Sequence, residues 1–159
     1  MNIKGINDED FINYKNPSMF IITSHCDFKC DKESGERCCQ NSPLALLPII
    51  SVDDSTIIER YLNNSITKSI VFGGLEPMIQ YDEIVCFLDS LRLRYQCQDD
   101  VVIYTGFNKD EVRDQIQLLS RFHNVVVKYG RFIPHRSKRF DTTLGVYLAS
   151  DNQFAERIS

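Results

Sequence analysis

"SMFIITSHCDFKC", residues 18–30, runs from a short apolar stretch directly into the first two members of a cysteine cluster. The apolar part reads as a buried β-strand, because its hydrophobic run is short and unbroken. Comparable stretches recur along the chain. "KSIVF" (68–72) is followed by a glycine pair, "DVVIYTG" (100–106) is rich in Val, Ile and Tyr, and "NVVVKYG" (124–130) and "LGVYLAS" (144–150) come after. Helical patterns lie between them. Residues 51–64 open on Ser51 with Asp54 three positions later, and carry Ile57, Ile58, Tyr61 and Leu62 at helical spacing. Residues 80–95 place Ile84, Phe87, Leu88 and Leu91 on one face. Asn108 is an N-cap with Glu111 at the capping-box position, ahead of a stripe of Val112, Ile116 and Leu119.

Strand alternating with helix is the pattern of parallel βαβ units. About five strands are too few for a closed eight-stranded barrel. The expected fold is therefore α/β, an open partial (β/α) barrel of about five mostly parallel strands with helices on the outer face. The expected domain is single, 1–159, with a cluster loop at 25–42. Such folds gather ligands at the C-terminal ends of their strands. The cysteine loop follows one strand, "GGLEP" a second and "TGFN" a third, so three candidate elements fall on one rim.

Composition narrows the function. The chain has 159 residues and is 43% hydrophobic, enough for a packed core and against disorder. A formal net charge of −4 argues against a general nucleic-acid binder. The acidic start "MNIKGINDEDFINY" has no apolar signal-peptide region, and the longest apolar run, "LALLPII", is far too short to span a bilayer. A cytoplasmic protein without membrane association is expected. In a reducing compartment clustered cysteines more often bind metal or do redox work than form disulfides.

Four of the six cysteines fall within fourteen positions, at Cys26, Cys30, Cys38 and Cys39. Iron–sulfur clusters take thiolates from short loops, and the spacing of Cys26 and Cys30 suits that. Adjacent side chains such as Cys38 and Cys39 seldom ligate one small cluster together, so three ligands look natural and a fourth surplus. Structural zinc more often shows two CxxC-like knuckles. On the cysteines alone, iron–sulfur, zinc and redox or unliganded thiols all stay open. In "VFGGLEP" (71–77) two glycines let backbone approach a ligand, while Glu76 beside Pro77 could hold an amino group; a plain strand-to-helix turn is the alternative.

Taken together, "CDFKC…CQN" and "GGLEP" resemble the radical S-adenosylmethionine superfamily, in which a CxxxCxxC loop holds a 4Fe-4S cluster. "VVIYTGF", "VVVKYGRF" and "ASDNQ" are similar, in order, to segments of the activating proteins of anaerobic ribonucleoside-triphosphate reductase, from about residue 18 to 158. The resemblance implies a 4Fe-4S cluster and S-adenosyl-L-methionine as cofactors, with Cys26, Cys30 and Cys39 as metal ligands. It implies cofactor binding by Gly73, Gly74, Glu76, Pro77, Thr105, Gly106, Ser150 and Asn152, with Gln153 in the same C-terminal motif. It further implies reductive cleavage of S-adenosylmethionine to a 5′-deoxyadenosyl radical that installs a glycyl radical on a partner enzyme. That partner would be an anaerobic ribonucleotide reductase, and a reducing electron donor would be needed. No side-chain general acid or base is expected, and the sequence offers no triad.

The chain departs from the family in places. Eight residues separate Cys30 from Cys39 where the family has two, a length whose closure entropy costs only about 1.2 kcal/mol more. "GGLEP" is one residue longer than the Gly-Gly-acid-Pro of the activating proteins it resembles. Lys128 stands where those proteins carry an acid, and Phe154 replaces an arginine. The stretch "RFIPHRSKRF" (131–140) is basic without an acid, and reads either as a solvated loop or as a docking surface using Arg131, Arg136, Lys138 and Arg139. Cys86 and Cys97 read as packing or surface residues, and His25 as a group that could tune a cluster.

Overall fold

The computed structural model describes residues 1–159. Four strands run parallel in sequence order: β2 (Ser18–Thr23), β4 (Ser69–Gly73), β5 (Asp100–Tyr104) and β6 (Val125–Tyr129). Both faces of these strands are covered, which is why each reads as a continuous apolar run rather than an alternating one. Their register lines up Phe20, Val71, Val102 and Val126 across one face, and Ile21, Phe72, Ile103 and Val127 across the other.

The two faces differ. The Ile21–Val127 face carries a cluster of 23 buried residues packed under α2 (Asp54–Leu62), α3 (Tyr81–Asp89) and α4 (Arg113–Leu119). The opposite face has a cluster of only 6 buried residues, so the main core lies on one side of the sheet. That smaller cluster is capped by Tyr14 and by Leu144 and Leu148. Leu144 and Leu148 belong to a hairpin formed by β7 (Arg139–Asp141) and β8 (Val146–Leu148). Asp141 holds that hairpin to the sheet, accepting from the Leu144 amide at 3.0 Å and the Ala155 amide at 2.8 Å.

The sheet is open and mixed, with seven strands, and it does not close into a barrel. Three of the seven were not legible in the sequence. β1 (Asn2–Asp10) pairs antiparallel with β2, the two-residue β3 (Ile50–Ser51) pairs antiparallel with β1, and β9 (Phe154–Arg157) pairs antiparallel with β6. The stretch 144–150 is not a fifth parallel strand, because residues 146–148 pair with the β7 hairpin arm instead. Ser51 sits in β3, so the N-cap of α2 is Asp53, and Leu62 is exposed rather than buried. The expected capping box does form: Asn108 and Glu111 bond reciprocally, at the start of a 3-10 turn (Lys109–Val112) that leads into α4. α3 continues as a π turn (Ser90–Arg94), pinned by buried Arg92, which donates to the carbonyls of His123, Cys97 and Asp99. No helix is long and apolar enough to cross a membrane.

Candidate functional site

Beyond the C-terminal ends of the parallel strands a cavity of about 520 Å³ opens, walled on one side by the cluster loop. Cys26, Cys30 and Cys39 line it, and Cys38 does not. The Cys26 Sγ accepts the Phe28 amide at 3.4 Å, with Phe28 itself in the left-handed region at φ 53°. A short helix, α1 (Lys29–Ser34), carries Cys30 and is stopped by Gly35 at φ 76°.

Asp31 then folds the eight intervening residues back on themselves. Its Oδ1 accepts the amides of Cys38 at 2.9 Å and Cys39 at 2.8 Å, so the insertion closes at its own base. These bonds, the Cys39 amide's foremost, hold the Asp31 carboxyl below its ordinary range. The closure returns Cys39 to the cavity wall that Cys30 also lines. The Cys38 thiol turns elsewhere, toward the Cys30 carbonyl at 3.6 Å and the Ser34 hydroxyl at 3.3 Å. Cys30, Asp31 and Cys38 form the compact donor group of this chain, their ligand atoms within 4.8 Å of one another, whereas Cys26, Cys30 and Cys39 share the cavity wall without being so tightly gathered. Burial pushes the Cys26 thiol up to about 11, and burial followed by the nearby Cys39 pushes Cys30 up to about 12. Both are therefore protonated near neutral pH in the metal-free chain, and metal binding would displace those protons.

The floor of the cavity comes from the strand ends. Gly74 turns the chain after β4 at φ 80°, and a Cβ there would lie 2.8 Å from the Ile22 side chain, so only glycine fits. The next residues bury Glu76, which is 6% exposed. Its carboxylate accepts from the Thr105 hydroxyl at 2.6 Å, the Gly106 amide at 2.8 Å and the Met78 amide at 3.0 Å. Burial raises the Glu76 carboxyl, and these three bonds together with the charge of Lys128 oppose that rise. The Glu76 amide donates to the His25 carbonyl at 2.8 Å, which joins the floor to the start of the cluster loop. A Cβ on Gly106 would stand 3.2 Å from Glu76 Oε2, so the close approach of backbone to carboxylate needs a glycine there too.

Of the residues picked out in the sequence, Gly74, Glu76, Thr105 and Gly106 line the cavity with the three cysteines. Gly73, Pro77, Ser150 and Asn152 are not on its lining. Gly73 lies beneath the floor, where a Cβ would meet the Phe20 ring at 3.0 Å. Pro77 is buried at the start of a 3-10 turn. Ser150 is fully buried and its hydroxyl accepts the Ile133 amide at 3.3 Å. Asn152 donates to the Arg131 carbonyl at 2.8 Å, and its own side-chain oxygen is buried without a partner. It is Gln153 from this segment that reaches the lining, donating to the Gly130 carbonyl at 3.0 Å.

Two arrangements escaped the sequence reading. Asp31 was one, since nothing in its spacing distinguishes a loop-closing carboxylate from a solvated one. The other is Arg131, which is 7% exposed and not part of a free basic surface. It clasps Glu111 through two bonds of 2.7 and 2.6 Å and reaches Glu33 of the insertion at 3.2 Å. That clasp holds the Glu111 carboxyl down at about 2. Arg136 is engaged by Asp151 at 3.2 Å, while Lys138 and Arg139 are exposed. His25 bonds Ser24 at 2.6 Å through Nδ1.

A buried polar floor beneath a wall of three thiols defines a metal-cofactor protein of the α/β class. More specifically, the chain belongs to the 4Fe-4S single cluster domain family, whose model matches residues 18–153. It is an iron–sulfur protein, the reading of its cysteines that the family match supports, and all six cysteines are free thiols here. No curated protein and no solved structure matches the chain.

Proposed function

We propose that this protein is a radical S-adenosylmethionine enzyme that activates a partner by installing a glycyl radical, the partner being an anaerobic ribonucleotide reductase. The observation that carries this reading is the meeting of Cys26, Cys30 and Cys39 with Gly74, Glu76, Thr105 and Gly106 around one cavity. A donor set of three thiols on one wall suits a 4Fe-4S cluster that keeps one iron free for a ligand. When bound, the cluster and S-adenosylmethionine supply the electron transfer and hydrogen-atom abstraction, with a 5′-deoxyadenosyl radical as the abstracting species.

The chain's own residues bind, orient and exclude water. Cys26, Cys30 and Cys39 hold the cluster. The Glu76 carboxylate fixes the Thr105 hydroxyl and the Gly106 amide, and the Glu76 backbone amide, donating to the His25 carbonyl, ties down the start of the loop. The segment 150–153 shapes the wall at Gly130 and Arg131. No side chain is required as a general acid or base. The open cavity needs covering before a radical is formed, and a glycine-bearing loop of the partner would do so, docked by the exposed Arg136, Lys138 and Arg139. Such docking weakens as salt shortens the screening length from about 10 Å at 0.1 M to about 3 Å at 1 M.

The test is anaerobic reconstitution with iron and sulfide, reduction, and addition of S-adenosylmethionine. Methionine and 5′-deoxyadenosine in equal amounts are expected, and a glycyl-radical signal in electron paramagnetic resonance when the reductase is present. Cluster incorporation without cleavage of S-adenosylmethionine overturns the enzymatic reading. Cleavage without a glycyl radical removes the reductase as target.

A further inference from the structure

Lys128 is a buried cation that the reading above leaves without a task. It lies on β6, where alternation turns it to the same face as Val126, away from the main core and into the cavity. It is 6% exposed. Its ammonium donates one hydrogen bond, to the Gly130 carbonyl at 2.8 Å, and stands 6.0 Å from the centre of the Tyr104 ring. No carboxylate pairs with it within 4.0 Å, because Glu76 is committed to Thr105, Gly106 and Met78. An ammonium has three N–H donors, so two of these are left without a protein acceptor.

A buried, unpaired charge is costly and is seldom kept for packing alone. Burial lowers the Lys128 ammonium to about 8, so it is still mainly charged at neutral pH. The floor thus offers one carboxylate whose bonds are mostly internal and one ammonium with donors to spare. The other cations of the lining are already answered: Lys29 by Asp27 and Glu111, and Arg131 by Glu111 and Glu33. Lys128 is the cation of this cavity without a carboxylate at ion-pair distance, Glu76 acting on it only from further away.

We propose that Lys128 binds the carboxylate of the amino-acid moiety of the cavity's ligand and so selects a ligand bearing that group. This rests on the reading of the ligand as S-adenosylmethionine. It assigns to a lysine, at a position where the resembling family carries an acid, the part of recognition that depends on the ligand's negative charge.

The experiment is calorimetric titration of the reconstituted, cluster-loaded protein at pH 7 with two probes, S-adenosylmethionine and its decarboxylated analogue. A charge-assisted hydrogen bond lost from one complex corresponds to roughly ten- to a hundredfold in affinity. Wild type should therefore prefer S-adenosylmethionine by about that factor. Lys128→Met, which keeps the apolar stem, should bind the analogue as wild type does and lose the preference. If Lys128→Met fails to fold, Lys128→Gln is titrated in its place with the same two probes. Equal binding of the two probes by wild type, or an undiminished preference in a folded Lys128→Met protein, overturns the assignment while leaving the proposed function standing. Binding of neither probe overturns both.

Discussion

Glu76 and Asp31 are two carboxylates that organise the same cavity from opposite sides, and they do so in different surroundings. Glu76 is buried on the floor and gathers a hydroxyl and two amides from two strand ends. Asp31 lies in the cluster loop and gathers two amides from a segment seven and eight residues further on. The floor is ordered by long-range packing of parallel strands, with Thr105 and Gly106 about thirty residues from Glu76. The loop is ordered by local bonds and by ion pairs at its edge, Glu33 with Arg131 among them. The floor is thus complete in the metal-free chain. The loop brings three thiols to one cavity wall without gathering them tightly, has no buried side chain in α1, and gains most from a bound cluster.

The largest expected effect lies in the loop. Replacing Cys26, Cys30 or Cys39 by Ala should abolish cluster incorporation in an iron and sulfide assay, whereas Cys38→Ala should retain it. Loss of the cluster in Cys38→Ala with retention in Cys39→Ala would move the ligand set to the Cys30–Asp31–Cys38 group. The floor should respond differently. Glu76→Ala strands three donors, each worth roughly 1–3 kcal/mol when buried, so urea unfolding of the apo-protein should show a loss of about 3 kcal/mol or more. Glu76→Ala should also weaken S-adenosylmethionine binding by about ten- to a hundredfold. An unchanged unfolding curve would erase the distinction between floor and loop.

Asp31→Ala tests the same contrast from the other side. The unfolding midpoint should not move, but iron should pass to a chelator several-fold faster than from wild type. The smallest effect is at the edge of the loop. Glu111 is depressed to about 2, chiefly by its bonds to Arg131, so its contribution is full above its unfolded value of 4.5. It is lost as pH falls from there toward about 2. Its side chain is 35% exposed, so solvent screening holds the pair to about 1 kcal/mol or less. Acid titration of stability should therefore fall less steeply in Glu111→Gln than in wild type over that window.

Legibility in the sequence followed packing. Strands buried on both faces announced themselves as apolar runs, and β2, β4, β5 and β6 lie where those runs stand. The edge strands did not, because β1 (NIKGINDED) and β9 (FAER) are polar on much of their length and take their structure from the neighbour they pair with. The run at 144–150 misled for a related reason. Leu144 and Leu148 are buried, but against the thin face of the sheet rather than within it. In the site, residues fixed by strand ends were legible as motif positions. Those fixed by side-chain charge, Asp31 and Arg131, carry no local pattern, since their partners lie seven to nearly a hundred residues away.

The closure of the insertion by Asp31 separates two lengths that a motif treats as one. The chain distance from Cys30 to Cys39 is long, yet the cavity meets only the base of the loop, where Cys39 returns beside Cys30. Residues 34–37 project beyond that base and are exposed. Each doubling of such a segment adds only about 0.6 kcal/mol of closure cost, so its length is nearly free to drift. A pattern search that fixes the gap between second and third cysteines will pass over proteins built this way. One that asks instead for an acid directly after the second cysteine, with any spacer before the third, would find them.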